Sequence, residues 1–217
     1  MTIMATALPI HRRPFDDLLA EAVSFHGHLC PGQVLGVRMT MAGCREVDVP
    51  EPRNAGKSLV VIVEIDRCPA DAVQALTGVS VGKRTLRHAD FGKTAATFVN
   101  RVTGRAVRVV ARESARDLAA RLVPDESDPR HAQIVAYRRL AEPDLLAFQR
   151  VIVDGAWLDR SRVRVACHAC GEAVSYEREV SRAGVRLCRA CAGERYYRFD
   201  GDHTAGPGRD VMLFPTQ

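Results

Sequence analysis

The sequence predicts an α+β fold, in which a mixed or antiparallel sheet packs against helices and a small cysteine-rich module follows. Three observations lead to this fold class. Apolar residues recur at helical spacing over residues 15–25. Residues 58–65 are dominated by β-branched apolar side chains, which is typical of a strand covered on both faces. Four of the seven cysteines lie within residues 167–191.

Prolines and glycines mark where the expected elements begin and end. Pro14, Pro31 and Pro69 each precede or open a helical pattern, because proline is well tolerated in the first turn. Gly27 and Gly78 follow the last apolar residues of two of these patterns, as helix-ending glycines do. The expected helices are residues 15–25, 31–44, 69–77, 113–122, 130–140 and 143–150, and the expected strands are residues 58–65, 95–100, 106–111, 151–154 and 163–166.

The composition is that of an ordinary globular protein. The 217 residues are 47% hydrophobic and 26% charged, with a formal net charge of +5. The positive excess is mostly arginine and forms no dense basic tract, so a nucleic-acid partner is not expected. No apolar run approaches the roughly 20 residues of a membrane helix, and residues 1–9 lack the pattern of a secretory signal. We therefore expect a cytoplasmic protein with no membrane partner.

The pattern changes near residue 155, which divides the chain into an expected core over residues 1–154 and a module over residues 155–217. The ordered part of the module has roughly 50 residues, too few to hold a hydrophobic core unaided. A bound structural metal can stabilise a module of this size. The tail from residue 199, rich in glycine, aspartate and proline, is expected to be irregular.

Two Cys-x-x-Cys pairs supply the expected metal ligands of the module. Cys167 and Cys170 are followed, after seventeen intervening residues, by Cys188 and Cys191. Four thiolates complete a tetrahedral zinc site and leave no position for a substrate, so this zinc is expected to be structural. A hairpin between the pairs and a helix over residues 192–197 would resemble a treble-clef finger or a zinc ribbon.

A second group of metal-ligating residue types lies between the first two expected helices. His26, His28 and Cys30 fall within five residues, beside two glycines and a proline. Cys68 follows the expected buried strand, at a strand end where sites are commonly built. Imidazole and thiolate are the side chains that zinc-type metals prefer. These four residues are therefore candidate ligands of a second transition metal.

Two other interpretations fit the same residues. In a metal-free thiol enzyme, Cys30 or Cys68 would be the nucleophile and His28 a general base. In a purely structural turn between two helices, the histidines would only cap backbone carbonyls. The three interpretations differ in whether the thiols bind metal, react with a substrate or do neither.

Three further residues are candidates to support the pocket. Asp71 would accept a hydrogen bond from an imidazole and orient it. Lys83 and Lys93 each follow a glycine, and would bind an anionic group of a small ligand. Ordinary solvated charge is the alternative for both lysines. Neither glycine–lysine pair has the spacing of a phosphate-binding loop, so nucleotide hydrolysis is not indicated.

Four segments of the sequence form one further pattern: Phe25-His-Gly-His-Leu-Cys-Pro-Gly32, Asp66-Arg-Cys-Pro-Ala-Asp-Ala-Val-Gln-Ala-Leu-Thr-Gly78, Gly82-Lys83 and Asp90-Phe-Gly-Lys93. Together they resemble the FmdE family, which is named after formylmethanofuran dehydrogenase. The name comes from operons of this molybdenum enzyme, which reduces carbon dioxide onto methanofuran, and the FmdE component does not carry the molybdopterin. Some members carry a C-terminal treble-clef finger similar to the cysteine pairs described above.

The resemblance implies an α+β core, a homodimer and a metal-holding pocket. By position, the pocket would contain His26, His28, Cys30 and Cys68. Asp71 and Lys83 would support it. The resemblance further implies an accessory or small-molecule-processing role linked to redox or one-carbon metabolism. A carrier of a metal or cofactor that docks onto a larger oxidoreductase is the alternative.

Overall fold

The computed structural model describes residues 8–159 and 161–198. The chain divides into two compact units, Met1–Asp154 and Gly155–Gln217. The irregular tail expected from residue 199 lies outside the described residues, as do the first seven residues. Within the described ranges, no helix combines the length and the apolar character needed to cross a membrane.

The first unit has the expected α+β composition. Its helices are α1 (Phe15–His26), α2 (Pro31–Glu46), α3 (Cys68–Thr77), α4 (Ser114–Leu122), α5 (Pro129–Arg139) and α6 (Glu142–Leu145). Its strands are β1 (Leu59–Val63), β2 (Leu86–His88), β3 (Ala95–Asn100), β4 (Ala106–Ala111) and β5 (Leu146–Arg150).

The five strands form one mixed sheet in the order β2-β1-β3-β4-β5. The β1–β2 pair is parallel, and the other neighbouring pairs are antiparallel. Every residue of β1 is buried, as expected for a central strand. Because β1 and β2 are parallel, their carboxyl ends meet at one edge of the sheet, which is the edge where the chain continues into Cys68.

Helices α1, α2 and α3 pack against one another, and α2 also packs against β4 and α5. The apolar side chains of these helices and of the sheet form one core cluster. Leu18 on α1, Met39 on α2 and Phe98 on β3 are among its largest fully buried members. This packing holds the amino-terminal ends of α2 and α3 in fixed positions, and the candidate ligands lie at these ends.

The structure corrects three expectations for the first unit. The helix expected over residues 143–150 is wrong, because only Glu142–Leu145 is helical and β5 follows it directly. Residues 146–150 pair with β4 along its free edge, and this pairing overrides their local helical pattern. The strand expected over residues 151–154 is also absent. Strand β2 was not expected, since three residues are too few to show a periodicity.

The second unit contains a short helix, α7, and two antiparallel hairpins. Each hairpin pairs three residues with three. The helix expected over residues 192–197 is wrong, because Gly193 has φ +107° and the segment forms turns instead. The treble-clef description, which depends on that helix, stays a prediction. The elements are α7 (Gly155–Leu158), β6 (Arg164–Ala166), β7 (Ala173–Ser175), β8 (Val180–Arg182) and β9 (Val185–Leu187).

Candidate metal centre

The connection between α1 and α2 positions two of the candidate ligands. Helix α1 ends at His26, and Gly27 follows it in the left-handed conformation with φ +96°. Its N–H donates to the carbonyl of Val23 at 2.8 Å, which closes the last turn. Cys30 then occupies the N-cap position of α2, directly before its first turn. His26 and Cys30 therefore lie at the facing ends of two consecutive helices rather than on a long loop.

Cys68 lies near His26 and Cys30 because it follows a strand of the sheet. It is the first residue of α3, shortly after β1 ends. Gly32, in the first turn of α2, lies so close that a Cβ added there would be 2.7 Å from Cys68 Cβ. Only glycine permits this approach, which brings the first turns of α2 and α3 together.

One ring nitrogen of His26 and the sulfur atoms of Cys30 and Cys68 all lie within 4.8 Å of one another. His26 Nδ1 lies 2.8 Å from Asp71 Oδ2. The remaining nitrogen, Nε2, is buried and has no hydrogen-bond partner within residues 8–159 and 161–198. Buried polar atoms are nearly always satisfied by protein, water or a ligand, so Nε2 is available to a partner such as a metal ion.

The donor set fits a zinc-type metal. One imidazole nitrogen and two sulfurs are ligands that such ions prefer, and they come from three different helix ends. A carboxylate that holds the proton on Nδ1 leaves Nε2 with its lone pair, which is the form that binds metal. Asp71 is in position to do this for His26.

The protonation of Cys30 is influenced by burial and by the end of α2. Burial raises the pKa of the Cys30 thiol, and the N–H groups of Gln33 and Gly32 act in the opposite direction. The net effect is a raised pKa, so without a metal the thiol stays protonated at neutral pH. Binding of a metal at Cys30 therefore requires the release of a proton.

The structure does not bring all the candidate residues together. His28 is exposed and lies outside the three-ligand group, although its ring centroid is 4.5 Å from that of His26. Lys83 Nζ donates to the carbonyl of Gly78, directly after the last residue of α3. Helix α3 has ten residues, of which Cys68 is the first, so its two ends lie roughly 15 Å apart. Lys93 is exposed, and its backbone N–H donates to the backbone carbonyl of Glu64, near the carboxyl end of β1.

Gln33 is a residue of this region that the sequence reasoning missed. It is completely buried, and its Nε2 donates to the backbone carbonyl of Cys68 at 2.7 Å. It thus ties the first turn of α2 to the first turn of α3. The available signal was an amide side chain in the first turn of a helix whose next two residues are apolar and buried.

The four finger cysteines form a second, separate group whose sulfur atoms lie within 4.8 Å of one another. The N–H groups of Cys170 and Cys188 donate to the sulfur of Cys167 at 3.5 and 3.2 Å. Burial raises the pKa of Cys167, but these N–H groups and that of Ala169 outweigh it and lower the pKa to about 6. The site is therefore prepared to hold a thiolate.

An α+β core joined to a four-cysteine finger defines a metal-binding protein of two units. The comparison with known families agrees with this class. Residues 25–147, more than half of the chain, match the family described as FmdE, molybdenum formylmethanofuran dehydrogenase operon. The chain belongs to this family, and the resemblance seen in the sequence is confirmed.

The finger also matches a known family. Residues 161–197 match the prokaryotic dksA/traR C4-type zinc finger. This match supports the assignment of Cys167, Cys170, Cys188 and Cys191 as ligands of a structural zinc ion.

Two individual proteins are similar over most of this chain. A probable S-adenosyl-L-methionine-binding protein of Archaeoglobus fulgidus is 29% identical over 216 aligned positions, which cover 85% of this chain. The match spans only 57% of the length of that relative. The crystal structure of a tungsten formylmethanofuran dehydrogenase FmdE-like protein from Syntrophus aciditrophicus superposes with a TM-score of 0.60 and 25% identity, covering 89% of this chain and all of the other.

Proposed function

We propose that the core binds a zinc-type transition metal through His26, Cys30 and Cys68, and that a fourth coordination position accepts a small ligand. The observation that carries this proposal is the buried, unpartnered Nε2 of His26. A structural turn would leave that nitrogen unsatisfied at a cost of about 1–3 kcal/mol. A metal-free thiol enzyme would also leave it without a partner.

The number of ligands supports an open position. Structural zinc sites have four protein ligands, whereas sites that act on substrates commonly have three and keep one position for water or substrate. When bound, such a metal polarises a ligand and lowers the pKa of a bound water. His28 is exposed and beside His26, where it would accept a proton from a small ligand entering from solvent.

We propose an accessory or small-molecule-processing role linked to redox or one-carbon metabolism. The operon from which the family is named supports this assignment. The name of the Archaeoglobus relative adds S-adenosyl-L-methionine to the ligands worth testing. The amino and carboxylate groups of S-adenosyl-L-methionine could chelate a metal ion at the open position.

The decisive experiment is the metal content of the full chain and of three single variants, measured by elemental analysis after purification with limiting zinc. The wild type is expected to hold two zinc ions per chain. Cys30→Ser and Cys68→Ser should each hold one, because the finger retains its own. Cys44→Ala is the matched control, since Cys44 is a core thiol outside both groups and should leave two ions bound.

The result that would overturn the proposal is equally specific. If Cys30→Ser and Cys68→Ser both keep the metal content of the wild type, the core does not bind metal through these thiols. If Cys30→Ser and Cys68→Ser each retain the zinc of the finger, the second unit is folded in both variants. Titration of the zinc-loaded wild type with S-adenosyl-L-methionine, compared with Cys68→Ser, then tests whether that ligand binds at the open position.

A further inference from the structure

The thiols of Cys30 and Cys68 lie close enough to react with each other. Their sulfur atoms are within 4.8 Å, and both residues are partly exposed, so a small oxidant has access to them. Gly32, which is two residues after Cys30, lies against Cys68. This close contact holds the backbone that follows Cys30 beside Cys68. A disulfide requires an S–S distance of about 2.0 Å, which rotation of the two side chains from one staggered position to another can supply.

We infer that Cys30 and Cys68 are a reversible dithiol–disulfide pair, oxidised by a peroxide or a small-molecule disulfide, whose oxidation dismantles the core metal site. This inference rests on the proposed function in its second half, because only a metal-binding core has a site to dismantle. The first half, the formation of the disulfide, requires only the geometry of the two thiols.

The reaction with hydrogen peroxide balances in two steps. One thiolate attacks a peroxide oxygen, breaking the O–O bond and forming a sulfenic acid with release of hydroxide, which is protonated to water. The second thiol attacks that sulfur, forming the S–S bond, and the departing hydroxyl leaves as a second water. Two thiols lose two electrons and two protons in total, and one peroxide is reduced to two waters. A dithiol reductant reverses the change by thiol–disulfide exchange.

Oxidation removes both sulfur ligands at once. A disulfide sulfur carries no thiolate charge and is a poor ligand, so His26 alone remains of the three donors. A single imidazole does not retain a zinc-type ion against competing chelators. The four finger cysteines would form a closed coordination sphere around their zinc ion, whereas the proposed core site keeps one open position through which a peroxide can approach its thiolates. The expected result is the loss of one metal ion of two.

The test uses the full, zinc-loaded chain and stoichiometric hydrogen peroxide. Released zinc is followed with a chromogenic chelator, and disulfides are mapped by mass spectrometry of a non-reduced tryptic digest. Cleavage after arginine and lysine places Cys30, Cys44 and Cys68 on three separate peptides, residues 13–38, 39–45 and 68–83. The linked species is therefore unambiguous.

The expected outcome is one zinc ion released per chain together with a cross-link between peptides 13–38 and 68–83. A dithiol reductant and added zinc should restore the original content. Cys44→Ala should behave as the wild type. Cys30→Ser and Cys68→Ser should form no cross-link, and Asp71→Ala, which keeps both thiols, should still form it.

Failure of the inference differs from failure of the proposed function. If neither the zinc-loaded nor the zinc-stripped chain gives the cross-link, while two zinc ions bind to the reduced protein, the dithiol inference is overturned and the metal site stands. If the cross-link forms but the reduced protein binds only the finger's zinc, the proposed function is overturned and only the disulfide survives. Release of zinc without the cross-link also contradicts the inference.

Discussion

Asp71 Oδ2 lies 2.8 Å from His26 Nδ1, joining the last residue of α1 to the first turn of α3. The His26 side chain is 12% exposed and that of Asp71 is 47% exposed, so the histidine is the enclosed partner. A carboxylate beside Nδ1 favours the tautomer that carries its proton on Nδ1, which leaves Nε2 free to bind a metal. The orientation of the proposed metal ligand thus depends on a residue 45 positions away.

Replacement of Asp71 by alanine is therefore expected to weaken metal binding in the core. Loss of the carboxylate removes the contact that orients the His26 ring. Such partners of metal-binding histidines typically contribute about 10- to 100-fold in metal affinity, so a loss of this size is expected. Competition with a chelator of known affinity measures it. Asp66→Ala, which removes an exposed aspartate just before Cys68, is the control and should change the affinity by less than about twofold. Equal affinities in wild type and Asp71→Ala would contradict the role assigned here.

The elements around this contact could be predicted from sequence because proline and glycine mark their ends. Pro31 and Gly27 set the connection between α1 and α2, and Cys68 follows a strand whose apolar run is unmistakable. β5 could not be predicted, since its pairing with β4 comes from an edge that exists only in the folded sheet. Local patterns contain no information about that edge.

For the candidate site, residue type and spacing were sufficient for part of the answer. The conjunction of His26, Cys30 and Cys68 followed from ligand chemistry. A glycine–lysine pair does not indicate where the lysine side chain will lie, and Lys83 Nζ donates to the carbonyl of Gly78 at the carboxyl end of α3. The role of Lys83 in binding an anionic group stays a prediction. The amide of Gln33 in the first turn of α2 was a signal for a buried polar residue, but its partner, the backbone carbonyl of Cys68, is 35 positions away and no sequence pattern displays it.

Gly32→Ala is expected to disturb the centre through packing alone. The added Cβ would lie 2.7 Å from Cys68 Cβ and 3.2 Å from Pro69 Cδ, so α3 must shift away from α2. We expect a destabilisation of about 1–3 kcal/mol, as for overpacked cores, and weaker zinc binding in the core. Urea denaturation and zinc competition measure the two effects.

Gly82→Ala is the control for this substitution. A Cβ at Gly82 meets no atom of residues 8–159 and 161–198 within 4 Å, and the residue is exposed. Its stability and zinc affinity should match those of the wild type. A Gly32→Ala variant that behaves like this control would show that the first turns of α2 and α3 have room to spare.

The ion pair between Glu64 and Arg108 provides a test of the sheet. Arg108 Nη2 donates to Glu64 Oε2 at 2.7 Å, and the Glu64 side chain is only 6% exposed. Removing one partner leaves a partly buried charge without its counterion, so Glu64→Gln is expected to cost about 3 kcal/mol. Denaturant unfolding of the core measures this loss.

A double variant separates the pair from the burial of a single charge. Glu64→Leu with Arg108→Met removes both charges and should be more stable than Glu64→Gln alone. Glu113→Gln, which breaks an exposed pair with Arg116, should change stability by less than about 1 kcal/mol. If Glu64→Gln costs no more than Glu113→Gln, the buried pair does not stabilise the sheet.

The buried thiol of Cys44 should make the free energy of unfolding of the core decrease at alkaline pH. Burial raises the pKa of its thiol from 9.0 to about 12 in the folded protein. Above pH 9 the unfolded chain loses this proton while the folded chain keeps it, so the unfolded state binds fewer protons and stability falls as pH rises. The contribution is fully present below pH 9 and is lost towards pH 12, at about 1.4 kcal/mol per pH unit.

Comparison of the wild type with Cys44→Ala isolates this contribution from that of other titrating groups. At about pH 8 the wild type should be more stable, because alanine leaves a small cavity in the core. Between about pH 9 and pH 11 the difference in free energy of unfolding should shrink steadily and then reverse, since alanine has no proton to lose. Urea denaturation at half-unit steps of pH measures it. A difference that stays constant over this range would mean that Cys44 ionises in the folded core as easily as in the unfolded chain.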